Sequence, residues 1–186
     1  MAKAKSRKGF TIIEVVLVLA VAGLIFLMVF VALPALQRSQ KDTQRRDDYS
    51  MLSAAISSYS ASNNGRLYKL AGATNSSANS SSTLTASKYI NDTGEDPDGE
   101  PYVVRACFYG GGSGEPDNCP KLVSNNEKLE QGGTEPEQGQ VYVLIKADCS
   151  GTFNGHDYPA KNTSNRAFAV YGYLASGSGT YCSASQ

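Results

Sequence analysis

The sequence has no excess charge of either sign and almost no histidine: 17 Lys and Arg stand against 17 Asp and Glu, with His156 alone. Beyond residue 36 the balance is weakly acidic, 13 basic residues against 16 acidic ones. Such a chain lacks the electrostatic footprint that binds phosphate backbones, so nucleic acid is not a default partner. His156 sits between Gly155 and Asp157, an expected loop, with no second histidine to share acid–base or metal work. There is no nucleophile elbow, no phosphate loop and no metal-spaced Cys/His set. The run at residues 110–114 (GGGSG) lacks the Lys-Ser/Thr of a phosphate loop and reads as a flexible loop tip. No catalytic residue, cofactor or metal follows from the sequence, and the chain is not expected to be an enzyme. The acidic group Asp92, Glu95, Asp96, Asp98 and Glu100 is the one place where Ca²⁺ is an alternative to a solvated turn. An EF-hand would need an acid two residues before Asp96 and a Glu near 105, where this chain has Gly94 and Arg105.

What charge there is at the N-terminus is segregated. Lys3, Lys5, Arg7 and Lys8 fall in the first nine residues without an acid, and Glu14 is the only charge from residue 10 to 36. Residues 10–33 are 24 otherwise uncharged, largely apolar positions. As a helix they reach roughly 36 Å, enough to cross a hydrocarbon core of about 30 Å. The basic cluster places the N-terminus in the cytoplasm and the chain after Pro34 outside. The apolar run is too long for a secretory signal, and its only A-x-A, Ala20 and Ala22, lies in its middle.

A carboxylate inside such a helix is costly and usually has a partner and a function. Glu14 is the last residue of the run Arg-Lys-Gly-Phe-Thr-Ile-Ile-Glu, residues 7–14. This run resembles the cleavage and methylation signature of type IV prepilins and pseudopilins. The family pattern is a short basic leader ending in Gly, then Phe, then an apolar stretch broken by Glu four residues later. The resemblance implies cleavage by prepilin peptidase between Gly9 and Phe10, and N-methylation of the new Phe10 amine. It also implies that Glu14 of one subunit meets the Phe10 amine of a neighbour and sets axial register, a recognised use of buried charge pairs. Gly23 matches the family position. Pro34 stands three residues beyond the family's usual proline, where this chain has Val31, which leaves open where the helix melts in a fibre.

The helix is expected to run on to about residue 63 and to end at Asn63-Asn64-Gly65. Its outer half carries Tyr49, Leu52, Ile56 and Tyr59 at spacings of 3, 4 and 3, a stripe suited to lie on a globular head. Residues 37–48 (QRSQKDTQRRDD) are polar all round and predict a solvated neck, with Arg45, Arg46, Asp47 and Asp48 in weak surface pairs. Residues 72–88 are small and polar and predict an exposed connection. Sequons at Asn75, Asn79, Asn91 and Asn162 match a glycan acceptor pattern that arises readily by chance in so Ser- and Asn-rich a chain. Strands are expected at 102–109, 141–148 and 167–175, with a further short one at 180–182. In the second, Val141, Val143, Ile145 and Ala147 share a face directed at the helix. Residues 96–102 (DPDGEPY) resemble the Asp-Pro-x-Gly-x-Pro-Tyr turn of pilin-like heads. Cys107, Cys119, Cys149 and Cys182 all lie in the exported half, which favours two disulfides. Loop entropy does not choose among three connectivities. Local pairing asks least of the sheet and gives Cys107–Cys119 and Cys149–Cys182, the latter like the disulfide loop of many pilin heads.

The expected fold is therefore α+β and pilin-like: a long N-terminal transmembrane helix packed by its outer half on a small antiparallel sheet. Its parts are a leader (1–9), a transmembrane and polymerisation helix (10–34), the outer half of that helix (35–63) and a β head (64–186). The function implied is a structural subunit of a type IV pilus, stored in the cytoplasmic membrane and assembled into an extracellular fibre for adhesion, motility or DNA uptake. Its partners would be copies of itself, prepilin peptidase, the assembly machinery and the membrane. A pseudopilin of type II secretion and an uncleaved, membrane-anchored binding protein are the alternatives.

Overall fold

A computed structural model describes residues 9–90, 94–111, 116–122, 128–129, 135–153, 156–162, 164–176 and 179–185. The sequon Asn91, the acid Asp92 and residues 112–114 of the glycine run at 110–114 lie outside these. The chain divides into two compact units, Met1–Arg38 and Ser39–Gln186.

One helix, α1 (Ile12–Ser62), runs unbroken through Gly23 and Pro34. It stops where Asn64 and Gly65 adopt left-handed backbone, φ 54° and 72°. The Asn63 and Gly65 amides then reach back to the carbonyls of Tyr59 and Ser60, at 3.0 and 2.8 Å.

The head is built on a five-stranded sheet. Its strands are β1 (Ser80–Leu84), β2 (Val103–Phe108), β4 (Gln140–Ile145), β7 (Phe168–Tyr173) and β8 (Thr180–Ala184), in the spatial order β1-β2-β4-β7-β8. A smaller sheet joins β3 (Lys128–Leu129), β5 (Ala147–Phe153) and β6 (His156–Lys161) in the order β3-β5-β6. One face of the large sheet receives Tyr49, Leu52 and Ile56 of α1 against Val104, Ala106, Val141, Val143, Ile145 and Val170. The opposite face packs Tyr142, Leu144, Ala169 and Tyr171 against Ala147, Tyr158 and Ala160. Gly172 lets the helix approach: a methyl there would lie 2.6 Å from the Tyr49 ring.

Four features differ from the sequence expectation. The sheet is mixed, because β2 and β4 pair in parallel, Val103 beside Gln140 through Phe108 beside Ile145. A parallel pair needs a crossover of a dozen or more residues, and residues 109–139 supply one, where a small antiparallel sheet had been expected. Ala147 does not share the face of Val141, Val143 and Ile145. Lys146 takes φ 65° between β4 and β5, which breaks the alternation and carries Ala147 into the second cluster. Residues 72–88 are not simply a connection. Strand β1 lies on the sheet edge there, its Ser80 and Ser82 hydroxyls donating to the carbonyls of Ala71 and Leu70 at 2.6 and 2.7 Å. His156 is exposed but sits on β6, paired with Phe153, rather than in a loop.

Candidate functional site

The N-terminal turn of α1 has the sequence of a capping box, Thr11-x-x-Glu14, and forms the half of it that the Glu side chain supplies. The Thr11 backbone N–H and its hydroxyl both donate to Glu14 Oε2, each at 3.0 Å. The Glu14 amide returns a bond to the Thr11 carbonyl at 3.1 Å. A helix start leaves its first N–H groups without partners, and the carboxylate satisfies one while staying at the surface. Gly9 and Phe10 precede this turn and are exposed, Phe10 at 89%. From Ile12 to Leu36 the apolar side chains face outward, and among the described residues α1 is the helix long and apolar enough to span a bilayer. An apolar surface of this size on a single chain calls for lipid or protein around it.

The second notable constellation lies where the outer half of α1 meets the head. Arg45 is completely buried. Its guanidinium forks onto Asp96, Nε to Oδ1 at 2.6 Å and Nη2 to Oδ2 at 2.7 Å. Nη1 donates to Asp42 Oδ1 at 2.9 Å, and Nη2 also reaches Asp98, which in turn accepts from Lys41. Asp42 accepts the backbone N–H groups of Ala175 and Ser176, both at 2.8 Å, and the Ser176 hydroxyl. Tyr102 donates to buried Asp48 at 3.0 Å, and Tyr49 donates to the Tyr173 carbonyl at 2.9 Å. One helical face thus ties down both the turn after β7 and the turn at residues 94–102. That second turn closes on itself: the Gly99 and Asp96 amides bond the carbonyls of Asp96 and Glu100, each at 2.7 Å, with Gly99 at φ 87°.

The solvated neck expected at residues 37–48 is therefore corrected. Asp42, Arg45 and Asp48 are buried, and Arg45 pairs across the fold rather than with Asp47 or Asp48 beside it. The signal was present in the spacing. Positions 42, 45, 49, 52, 56 and 59 continue one stripe at steps of 3 and 4, and the charged type of the first two disguised it. The acidic turn is corrected with it. Asp96 is buried against Arg45 instead of solvated, and among the described residues no group of His, Cys, Asp and Glu is arranged to hold a metal ion.

Burial would push the Asp42 carboxyl up, but bonds from Ser176, Ala175 and Arg45 together hold it below the usual aspartate range. The Lys41 bond, with Arg45 behind it, likewise holds Asp98 down. Burial raises Asp48 despite the bond from Tyr102. A depressed carboxyl contributes stability above its unfolded value of about 4, and this is lost as pH falls through the lower folded value. Asp48 acts in the opposite direction, since its ionisation costs stability as pH rises through its raised value. Asp42→Asn is expected to lower stability at pH 7 by roughly 1–2 kcal/mol and to flatten the acid limb below about pH 4. Thermal unfolding across pH checks this. An acid limb identical to that of the unaltered chain would refute the role given to Asp42.

The cysteines pair as Cys107–Cys119 and Cys149–Cys182, with Cα atoms 6.1 and 5.8 Å apart. The first fastens the start of the crossover to β2, and the second ties β5 of the small sheet to β8 at the edge of the large one. Three of the sequon asparagines use their amides internally, Asn79 by accepting from the Gly111 amide at 3.1 Å. Asn162 donates to Asp148 at 2.8 Å, and the Asn75 side-chain carbonyl accepts from the Ser77 amide at 2.9 Å.

Residues 4–30 match the family model of the prokaryotic N-terminal methylation motif. No curated protein and no solved structure matches the chain. The motif covers Gly9, Phe10 and Glu14 and the first turns of α1, and the head that follows has an α+β, pilin-like architecture. The chain thus carries the prokaryotic N-terminal methylation motif, the type IV pilin signal, at the start of a long N-terminal apolar helix.

Proposed function

We propose that the chain is the structural subunit of a type IV pilus. It is held in the cytoplasmic membrane by α1, cut by prepilin peptidase between Gly9 and Phe10, methylated at Phe10 and polymerised into an extracellular fibre. Its role is structural, not catalytic. The observation that carries this reading is one exposed carboxylate, Glu14, at the first turn of an otherwise uncharged apolar helix face within the methylation motif. In a stack of such helices, Glu14 exchanges its Thr11 donors for the Phe10 amine of the next subunit. The two disulfides support a head that works outside the cytoplasm, where such bonds persist.

Gly9 supports the cleavage step. A Cβ built there meets no atom within 4 Å, so the fold does not require glycine at this position. A peptidase that admits only a minimal side chain before the cut does. Gly9→Val should leave a full-length chain in the membrane and no fibres, with the head folded as before. N-terminal mass spectrometry reads the cut, and normal cleavage of the variant would overturn the assignment. Electron microscopy of sheared material from the unaltered chain separates a surface pilus from the short fibre of a secretion pseudopilin.

A further inference from the structure

A cavity of about 470 Å³ opens on the face of the large sheet away from α1. Parallel pairing of β2 and β4 makes its floor, setting Val103 beside Gln140 and Arg105 beside Tyr142. Asn118, held in left-handed backbone at φ 55° next to the Cys107–Cys119 bond, forms one wall. Glu135 and Glu137 form another. Neither the filament reading nor the clamp at Arg45 uses any of these groups.

We propose that this cavity binds a neutral saccharide. Its lining combines planar polar groups with an apolar spot, the combination that a ring of hydroxyls on a C–H face demands. Guanidinium, carboxylate and carboxamide groups each present two polar atoms in one plane and can bridge neighbouring hydroxyls. The groups are partly set in place: Tyr142 donates to Gln140 Oε1 at 3.0 Å, and Gln140 Nε2 donates to Glu137 Oε2 at 3.1 Å. The Arg105 side chain is partly buried, yet among the described residues it makes no hydrogen bond and no ion pair, so its donors are available to a ligand. Val103, 45% exposed, is one of two large apolar side chains that the head leaves at the surface among the described residues; the other is Met51. One guanidinium against two carboxylates leaves the lining negative, which disfavours an acidic sugar. The volume lies within the roughly 300–1,000 Å³ of small-molecule sites.

The test uses the full-length chain in micelles of a detergent without a sugar headgroup. Glucose, galactose, N-acetylglucosamine, maltose and N-acetylneuraminic acid serve as probes in saturation-transfer NMR. At least one neutral probe should receive saturation, with Kd roughly tenfold weaker in Arg105→Gln and in Glu137→Gln. Lys69→Ala, in the short turn after α1, should leave binding unchanged. Thermal unfolding verifies that each variant is folded. The proposal is overturned if no neutral probe binds the unaltered chain, if binding survives both substitutions in folded protein, or if only the acidic sugar binds.

Discussion

Arg45→Ala should destabilise the head by roughly 3–5 kcal/mol, the usual consequence of leaving buried charges without their partner. The variant strips Asp96 of both its guanidinium bonds and Asp42 of one, while both carboxylates remain nearly inaccessible to water. For a chain of this size that corresponds to a fall in Tm of about 10 °C, read by thermal unfolding with the disulfides intact. The attraction within the cluster is offset by the cost of taking its ions out of water, so the pair as a whole is worth less than its breakage suggests. The double variant Arg45→Met with Asp96→Leu should therefore recover part of the loss, because Asp96 is no longer left charged and alone, while Asp42 keeps only its bonds from Ala175 and Ser176. A loss below about 1 kcal/mol for Arg45→Ala would place the guanidinium among ordinary solvated surface pairs and contradict its burial.

Glu14 carries the second large effect, on assembly rather than folding. Glu14→Ala removes a charge from an apolar helix, so membrane insertion should be equal or better. Fibre yield should fall to near zero, since the charge pair proposed to set register is gone. The alanine variant also removes the capping box with Thr11, so it cannot by itself separate a helix-capping role from docking. Glu14→Gln separates them. A glutamine serves the box as well as a glutamate but offers no charge to the Phe10 amine. If docking is ionic, Glu14→Gln should fail to form fibres just as alanine does, while remaining inserted and cut. Fibres at the unaltered level from Glu14→Gln would make Glu14 a helix cap and remove it from the assembly mechanism. Counting sheared fibres by electron microscopy, with the membrane fraction assayed in parallel, gives both readouts.

The sequence by itself determined the features that depend on neighbours along the chain. The membrane helix follows from 24 residues with one charge, and the helix stop from Asn64 and Gly65. The β2, β4 and β7 strands follow from dense runs of aromatic and β-branched residues. The methylation motif is linear as well, because it is carried by consecutive residues, 4–30. Tertiary structure decided what depends on residues far apart. Arg45 and Asp96 are 51 positions distant, and no local pattern says that a charged neck residue will find a buried carboxylate. The stripe from 42 to 59 could have suggested burial, but residue type argued for water, and only the turn at 94–102 overrides it. The parallel pairing of β2 with β4 depends on the path of a long crossover, and the flip of Ala147 on one left-handed residue. The small second sheet was not legible either, since its strands contain polar residues and glycine and are held by packing and by the Cys149–Cys182 bond. Local hydrophobic order is written in period and composition, whereas a buried ion pair becomes favourable only when distant segments together exclude water from it and satisfy its hydrogen bonds.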